Sequence, residues 1–302
     1  MVWSTERSVL AACTMAFFAT MVARLAISPV VPAISAEFGA SNAVIGLALS
    51  GMWLAYALAQ FPSGLVGDRV GERLVILVAV AGTAVASLLL AVSPFFWTFL
   101  LFTVVLGGAA GLHYSVATTL LSRTFENTGT AVGIHSAGAP VAGLVAPVGA
   151  AYVGTLFGWR YAVALGAVAA VPTVVLVAYG IPRVEPQHPE APIRDRVSSG
   201  VLFDLLSRPP IAGTVVVSVL AAFVWQGTAS FLPTFLVEHR SYSETTAGIV
   251  FSAYFVAQGV GQPGIGWLSD RIGRERAMGL CMASGIAGYT LYVAGPGLGT
   301  VA

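Results

Sequence analysis

The sequence has no lysine and few charged residues of any kind. Charged residues make up only 9% of its 302 positions, whereas a soluble domain carries roughly 25%. The formal net charge of +1 gives no electrostatic reason to bind a polyanion, so we expect no nucleic-acid partner. The only two cysteines, Cys13 and Cys281, both lie inside apolar runs, which argues against a disulfide framework.

Recognisable catalytic motifs are also missing. The sequence contains no G-x-S-x-G, no Walker loop and no H-E-x-x-H. The two histidines in its apolar runs are too few for a metal site, which usually has three or four ligands. The one long polar stretch, residues 182–208, is too short for an ATPase domain. We therefore expect a protein that is not an enzyme, with no catalytic residue, metal or cofactor, and a primary pump would need a separate ATPase subunit.

Long apolar runs dominate what is present. Hydrophobic residues make up 57% of the chain, which indicates that it uses lipid as its solvent. Runs of about 20 residues are long enough to cross a bilayer as helices. The first run has no A-x-A-like cleavage site and is predicted to be retained as a helix. We count nine runs, at residues 9–36, 43–66, 74–93, 96–122, 128–156, 160–181, 209–237, 245–268 and 276–295.

The arginines predict the orientation of these helices. Eleven arginines fall on one side of the membrane, only Arg160 and Arg240 fall on the other, and Arg24 lies within the first run. The positive-inside rule then places the N-terminus and residues 182–208 in the cytoplasm of a cell-membrane protein. Residues 182–208 are rich in proline and charge and are predicted to be a flexible tether. The eleven are Arg7, Arg69, Arg73, Arg123, Arg183, Arg194, Arg196, Arg208, Arg271, Arg274 and Arg276.

One stretch of the sequence occurs twice. Residues 60–73 read QFPSGLVGDRVGER, and residues 262–276 read QPGIGWLSDRIGRER. A constant offset of 202 positions aligns the glutamine, the first glycine, the Asp-Arg pair and the last glycine, and it also matches four positions upstream. A single register over this span indicates an internal duplication. The paired motif positions are Gln60, Gly64, Asp68, Arg69 and Gly71 in the first copy and Gln262, Gly266, Asp270, Arg271 and Gly273 in the second.

The repeated G-x-x-x-D-R-x-G pattern resembles the loop motif of the major facilitator superfamily. That family carries the motif after the second helix and again after the eighth, as this chain does. The resemblance implies an all-α membrane fold with a six-helix bundle at residues 1–181, a cytoplasmic linker at 182–208 and a partial second bundle at 209–302. The family repeat also implies three further helices, so we interpret the sequence as truncated after the ninth span.

The repeated motif is a candidate gate. In the family, the carboxylate of this motif holds the two halves closed on the cytoplasmic side. Asp270 is expected to reach the start of the fifth span, near residues 127–130, where the positive end of a helix dipole stabilises an anion. The other interpretation is that these residues are only positive-inside loop charges. The gating candidates are Gly64, Asp68, Arg69, Gly71, Arg73, Gly266, Asp270, Arg271, Gly273 and Arg276.

Arg24 is the most informative single residue. It lies near the middle of the first apolar run, where an ionised side chain is unfavourable and indicates a functional role. Its repeat partner is Gln226, and in the family the first helix of each half lines the central cavity. A guanidinium can hold a carboxylate or phosphate with two hydrogen bonds, which favours an anionic substrate. Alternatively, Arg24 is structural and pairs with backbone carbonyls or tyrosines.

Two histidines and several aromatic residues complete the candidate substrate site. His113 and His135 lie about equally far from Arg123 on successive helices, so we expect them at similar depth. Either could carry a proton or bind a substrate, and either could instead be a polar residue satisfied in helix packing. Tyr114, Tyr56, Trp53, Trp225 and Gln258 are further candidates, although such residues commonly serve packing or anchor at the membrane interface.

These observations favour a secondary transporter that works by alternating access between two helix bundles. Its cargo would be a small molecule, for which Arg24 favours an organic or inorganic anion. The expected partners are the lipid bilayer, this substrate and a coupling ion, H⁺ or Na⁺, and we expect a monomer. Two alternatives are a transporter-like sensor that binds its ligand without moving it and a non-functional transporter fragment.

Overall fold

The computed structural model describes residues 5–183, 186 and 199–294. These residues are almost entirely helical, and no strand occurs among them. The predicted linker at residues 182–208 lies largely outside the described residues. Most of its described part forms one short helix.

Apart from α9 and α10, the described helices follow one another with short connections. A 3-10 turn (Ser28–Val30) separates the first two, and a π turn (Phe235–His239) follows the eleventh. In chain order they are α1 (Thr5–Leu25), α2 (Val31–Phe38), α3 (Asn42–Val70), α4 (Glu72–Ala91), α5 (Phe96–Gly111), α6 (His113–Thr124), α7 (Thr128–Ser136), α8 (Gly138–Phe157), α9 (Trp159–Gly180), α10 (Ser199–Ser207), α11 (Pro209–Thr234), α12 (Glu244–Ile272) and α13 (Arg274–Ala294).

Seven helical segments in the described chain have the length and hydropathy to cross a membrane. They coincide with the first seven predicted runs. The last two predicted runs form α12 and α13, of 29 and 21 residues, and their crossing stays a prediction. The seven segments are Glu6–Phe38, Ala43–Val70, Glu72–Ala91, Phe96–Thr124, Thr128–Phe157, Trp159–Gly180 and Pro209–Thr228.

Three of these segments are interrupted. In the first, Pro29 and Pro32 cannot supply backbone N–H groups, and the chain passes through the 3-10 turn between α1 and α2. The fourth breaks at Leu112, whose N–H approaches the carbonyl oxygens of both Ala109 and Ala110. The fifth breaks at Ala137. The buried His113 directly follows the break at Leu112, and the buried His135 lies shortly before the break at Ala137.

The repeated motif forms the same backbone turn in both copies. Gly71 joins α3 to α4 with φ of 90°, and Gly273 joins α12 to α13 with φ of 91°. Side chains with a Cβ rarely adopt this left-handed conformation, which explains why both copies carry glycine there. The duplication inferred from the sequence therefore extends to the local structure.

Contacts between residues divide the chain into two compact units, residues 1–189 with 255–281 and residues 190–254 with 282–302. In the first unit, α4 packs against α9, α3 against α5, and α1 against both α8 and α9. Large apolar side chains on its outside are exposed, as expected of a surface solvated by lipid. Examples are Leu58, Val78, Leu101, Val148 and Val168.

The second unit has a smaller apolar cluster. Leu232, Leu236 and Ala247 are its buried members. The hydroxyls of Thr228 on α11 and Tyr289 on α13 form a hydrogen bond within this unit.

Candidate functional site

Arg24 is completely enclosed in the first unit. Its side chain is 1% exposed near the C-terminal end of α1. Nε donates to the carbonyl oxygen of Thr20 at 3.1 Å, and Nη2 lies 2.8 Å from Sδ of Met21. The guanidinium carbon lies 3.9 Å from the ring centroid of Tyr56 and 4.7 Å from that of Trp53. Aromatic faces stabilise a buried cation, so these two rings on α3 partly replace its hydration.

This environment leaves the arginine without a counter-charge. None of the ion pairs formed by the described residues includes Arg24. Its Nη1 is buried and has no hydrogen-bond partner there. The guanidinium thus keeps the Nη1 group unpaired and a positive charge inside the helical bundle.

His113 and His135, which were expected at similar depth, lie in contact with each other. Their ring centroids are 5.3 Å apart, and both side chains are fully buried. Phe17 packs against both rings, at 6.1 Å from His113 and 5.1 Å from His135. Tyr114 packs 5.7 Å from His135. The two imidazoles therefore occupy one aromatic-walled site next to the breaks in the fourth and fifth spans.

Neither imidazole is satisfied by the protein. None of the four ring nitrogens makes a hydrogen bond of good geometry with any described residue. The backbone of Cys13 lies near enough to interact with both rings, and Arg24 interacts electrostatically with His113. An unpaired buried polar group costs about 1–3 kcal/mol, so five such atoms in one bundle are unfavourable unless a ligand or water binds them.

The other predicted substrate residues are divided between the two units. Tyr56 contacts Arg24, and Tyr114 contacts the histidine site, in the first unit. Trp225 and Gln226 lie on α11 in the second unit.

Asp270 makes the contact expected from the sequence. Its Oδ1 accepts a hydrogen bond from the backbone N–H of Gly129 at 2.8 Å. Its Oδ2 accepts from the N–H and the hydroxyl of Thr130, each at 2.7 Å. Both residues are in the first turn of α7, where free N–H groups and the helix dipole favour an anion. We call this contact, formed by Asp270, Gly129 and Thr130, the α7 latch.

Burial works to raise the pKa of the Asp270 carboxyl, but other interactions outweigh it. Hydrogen bonds from Thr130 and Gly129, together with the positive charge of Arg274, hold the pKa below its usual value of 3.8. The latch therefore has an ionised carboxylate at neutral pH.

Direct backbone contact accompanies the latch. A Cβ atom added at Gly266 would lie 2.1 Å from the carbonyl oxygen of Gly129. One added at Gly133 would lie 2.5 Å from the carbonyl oxygen of Gln262. Glycine at these positions is required by the close approach of α7 and α12, which is a general use of small residues between membrane helices.

The remaining gating candidates have individual roles. Arg73 donates to the carbonyl oxygen of Ala178 at 2.6 Å, which ties the start of α4 to α9. Arg271 stacks on Trp267, with 4.0 Å between the guanidinium carbon and the ring centroid. Gly64, unlike Gly266, has open space where a Cβ would be. Asp68, Arg69 and Arg276 lie at or beside the corresponding helix ends.

A cavity of about 410 Å³ lies beside the latch in the first unit. Its lining combines hydroxyl side chains and one arginine with the apolar side chain of Val132. Its lining residues include Thr118, Thr119, Ser122, Thr128, Ser269 and Arg274.

The family model for the Major Facilitator Superfamily matches residues 13–302. The chain belongs to the Major Facilitator Superfamily. A "Multidrug resistance protein B homolog" of Mycobacterium tuberculosis is 29% identical over 51% of this chain and 29% of its own length. The "Hexuronate transporter" of Bacillus subtilis is 23% identical over 84% of this chain and 62% of its own length. This chain thus spans less than two thirds of either relative.

Solved structures agree on the fold. The crystal structure of the human organic anion transporter MFSD10 superposes with a TM-score of 0.65 and 18% identity, covering 88% of this chain and 73% of that one. The predicted major facilitator fold is confirmed, as is the prediction of a multi-pass membrane protein.

This major facilitator protein has functional-site residues that the sequence analysis missed. Thr20 and Met21 precede Arg24 by four and three positions, so helical spacing alone could have identified them as its neighbours. Phe17, which packs against both histidines, had no comparable signal because its contacts join three different helices.

Proposed function

We propose that this major facilitator protein is a secondary transporter of a small organic or inorganic anion, working by alternating access. The observation that carries the proposal is Arg24, a fully buried guanidinium with no carboxylate partner among the described residues. A charged side chain at the centre of a membrane helix is unfavourable by about 2.5–3.5 kcal/mol on insertion scales, which makes its retention functionally informative. An arriving anion would supply the missing counter-charge.

The unused donors near Arg24 support the same substrate class. Nη1 of Arg24 can donate to a carboxylate or phosphate oxygen, and each neutral imidazole can donate one N–H. Burying an anion among these groups offsets the desolvation of both partners. A cationic substrate would instead meet an unpaired positive charge.

The names of the relatives point to two substrate classes. The hexuronate transporter is named for a sugar carboxylate, whereas the multidrug resistance homolog is named for no charge type. The buried charge of Arg24 favours the carboxylate-like class for this chain.

The α7 latch is the proposed cytoplasmic gate. Closing it buries the backbone contact between Gly129 and Gly266 and pairs the Asp270 carboxylate with the α7 N-terminus. Opening it would release the substrate to the cytoplasm. This scheme takes the N-terminus to be cytoplasmic in the cell membrane, with residues 1–181 and 209–302 contributing to separate bundles and a proton or Na⁺ as the coupling ion.

The test is uptake of labelled solutes into proteoliposomes. The panel contains glucuronate, glucarate, glycerol 3-phosphate, a neutral sugar and an organic cation. We expect uptake of at least one anion, and we expect Arg24→Gln to reduce it to the level of protein-free vesicles. Arg208→Gln is the matched control, because Arg208 is an exposed arginine paired with Asp204 on the surface.

The opposite pattern would reject the proposal. Uptake of the neutral or cationic solute, unaffected by Arg24→Gln, would show that Arg24 does not select the cargo. Loss of uptake in both arginine variants would mean that Arg24→Gln acts through general damage to the protein.

A further inference from the structure

The His113–His135 site has the features of a binding site for one proton. Both rings are fully buried, their centroids are 5.3 Å apart, and none of the four nitrogens makes a hydrogen bond of good geometry with a described residue. A ring nitrogen with a free lone pair can accept a proton, and the resulting N–H can be shared with the neighbouring imidazole. The rings of Phe17 and Tyr114 pack against the pair, and aromatic faces stabilise a cation.

The capacity of the site is one proton. Two charged imidazoles at this separation in a buried environment would repel each other strongly, so the two rings titrate as a coupled pair. The second proton is opposed further by Arg24, which interacts electrostatically with His113.

Few other ionisable groups face the pair. From α1 these are Cys13 and Arg24, and from α6 Tyr114. Tyr56 of α3 contacts Arg24. The acidic Glu72 of α4 is already bound to Arg123 near the helix ends. Among the described residues, Arg24 is therefore the permanent charge that governs the pair when no substrate is bound.

The charge of the cargo decides whether the pair is protonated. A bound monoanion is balanced by Arg24 alone. A bound dianion leaves one negative charge unbalanced after pairing with Arg24, and this charge favours a proton on the adjacent imidazoles. Binding of the dianion and of the proton must then strengthen each other by the same factor.

We propose that the His113–His135 pair takes up one proton when a dianion binds and that the two are carried together, whereas a monoanion is carried without this proton. The inference rests on the proposed anion transport. A proton from water adds to a ring-nitrogen lone pair and returns to water when the cargo leaves, so no covalent bond to carbon changes and no redox partner is needed.

The experiment compares glucuronate and glucarate, two sugar acids with the same carbon skeleton and charges of −1 and −2. Their binding to the purified protein is measured near neutral pH by calorimetry in buffers of different ionisation enthalpy, which counts the protons taken up. We expect about one proton per bound glucarate and none per bound glucuronate. The affinity for glucarate should rise by up to about tenfold for each unit of falling pH, while that for glucuronate stays level.

Two histidine variants test whether the proton binds to the His113–His135 pair. His113→Gln/His135→Gln should remove the proton uptake and the pH dependence of glucarate binding. His239→Gln, at an exposed histidine of the second unit, should leave both unchanged. The wild-type proton counts test the inference even if the double variant does not fold.

The possible failures are distinguishable. Binding of both anions without proton uptake would overturn this inference and leave anion transport standing. Glucarate-linked proton uptake that persists in the double variant would also overturn it, because the proton would then bind elsewhere. Failure of both acids to bind would overturn the inference, which requires a bound dianion, while the uptake panel tests anion transport independently.

Discussion

Arg24 combines three features that rarely occur together in a membrane helix. It is buried, it is charged, and it has no carboxylate partner among the described residues. Its contacts with Thr20, Tyr56 and Trp53 match the structural alternative considered from the sequence, but they leave Nη1 unpaired. The protein thus orients the guanidinium without neutralising it, which suits a group that binds an anion.

Arg24→Lys separates charge from shape at this position. The ammonium keeps the positive charge but loses the planar group that stacks on Tyr56 and presents two donors to one anion. We expect anion affinity to fall about tenfold or more, equivalent to at least ~1.4 kcal/mol, with transport still detectable. Equilibrium binding of the transported anion checks this, and affinity equal to that of Arg24→Gln would show that charge alone contributes nothing.

Asp270→Asn tests the latch at the level of one atom. An asparagine can accept from one backbone N–H, but its amide group would point a donor at the donors of Gly129 or Thr130. The helix dipole term alone is about 0.3–1 kcal/mol at an exposed site, so we expect a several-fold shift towards the inward-open state. Distances between spin labels at Asn127 and Glu275 report the shift, and an unchanged distance distribution would contradict it.

The latch should not respond to pH in the neutral range. Because the pKa of Asp270 is below its usual value, the carboxylate contact is present above that value and is lost only as the pH falls through the lowered pKa. The same spin-label distances should therefore be constant between about pH 6 and 8, the neutral range in which the glucarate-linked proton uptake is measured. If the latch opens with changing pH in that range, the gate would contribute to any pH dependence of transport.

At the scale of helices, α7 and α12 meet through glycine. Gly129 and Gly133 on α7 face Gly266 and Gln262 on α12 at backbone-contact distance. Close packing thus explains Gly266 in the second motif copy, whereas the matching Gly64 in the first copy has free space where a Cβ would be. The two copies share their turn conformation but differ in their described neighbours.

Gly266→Ala should prevent this contact from closing. The added methyl group would lie 2.1 Å from the carbonyl oxygen of Gly129, so the helices must separate. Gly264→Ala is the matched control on the same helix, because a Cβ there meets nothing within 4 Å. We expect longer spin-label distances and slower transport only for Gly266→Ala. Equal behaviour of the two variants would mean that the glycine contact does not limit closure.

The helices also show what could and could not be predicted from the sequence. Hydropathy located the spans, and the repeat with its family resemblance predicted that Asp270 reaches the start of α7. Hydropathy could not reveal the breaks at Leu112 and Ala137, because both residues are apolar and continue the run. The interruption between α1 and α2 was marked by Pro29 and Pro32, although the run was interpreted as one helix.

At the scale of the whole molecule, the arginine distribution predicts how the protein lies in the membrane. The turn between α6 and α7 should be cytoplasmic, and the turn between α4 and α5 should be outside. In a variant without Cys13 and Cys281, single cysteines at Glu126 and Phe95 probe these turns, where both residues are exposed. A membrane-impermeant thiol reagent added to intact cells should label only the cysteine at 95. Labelling of only the cysteine at 126 would show that the protein has the opposite orientation.

The central claim, anion transport by alternating access, is tested most directly by counterflow. Proteoliposomes are loaded with an unlabelled anion that the uptake panel identifies, and a trace of the same labelled anion is added outside. A transporter with a binding site open to each side in turn should accumulate the label transiently, and Arg24→Gln should abolish this accumulation while Arg208→Gln retains it. Saturable binding of the labelled anion without any transient accumulation would contradict the claim and identify a sensor that binds its ligand without moving it.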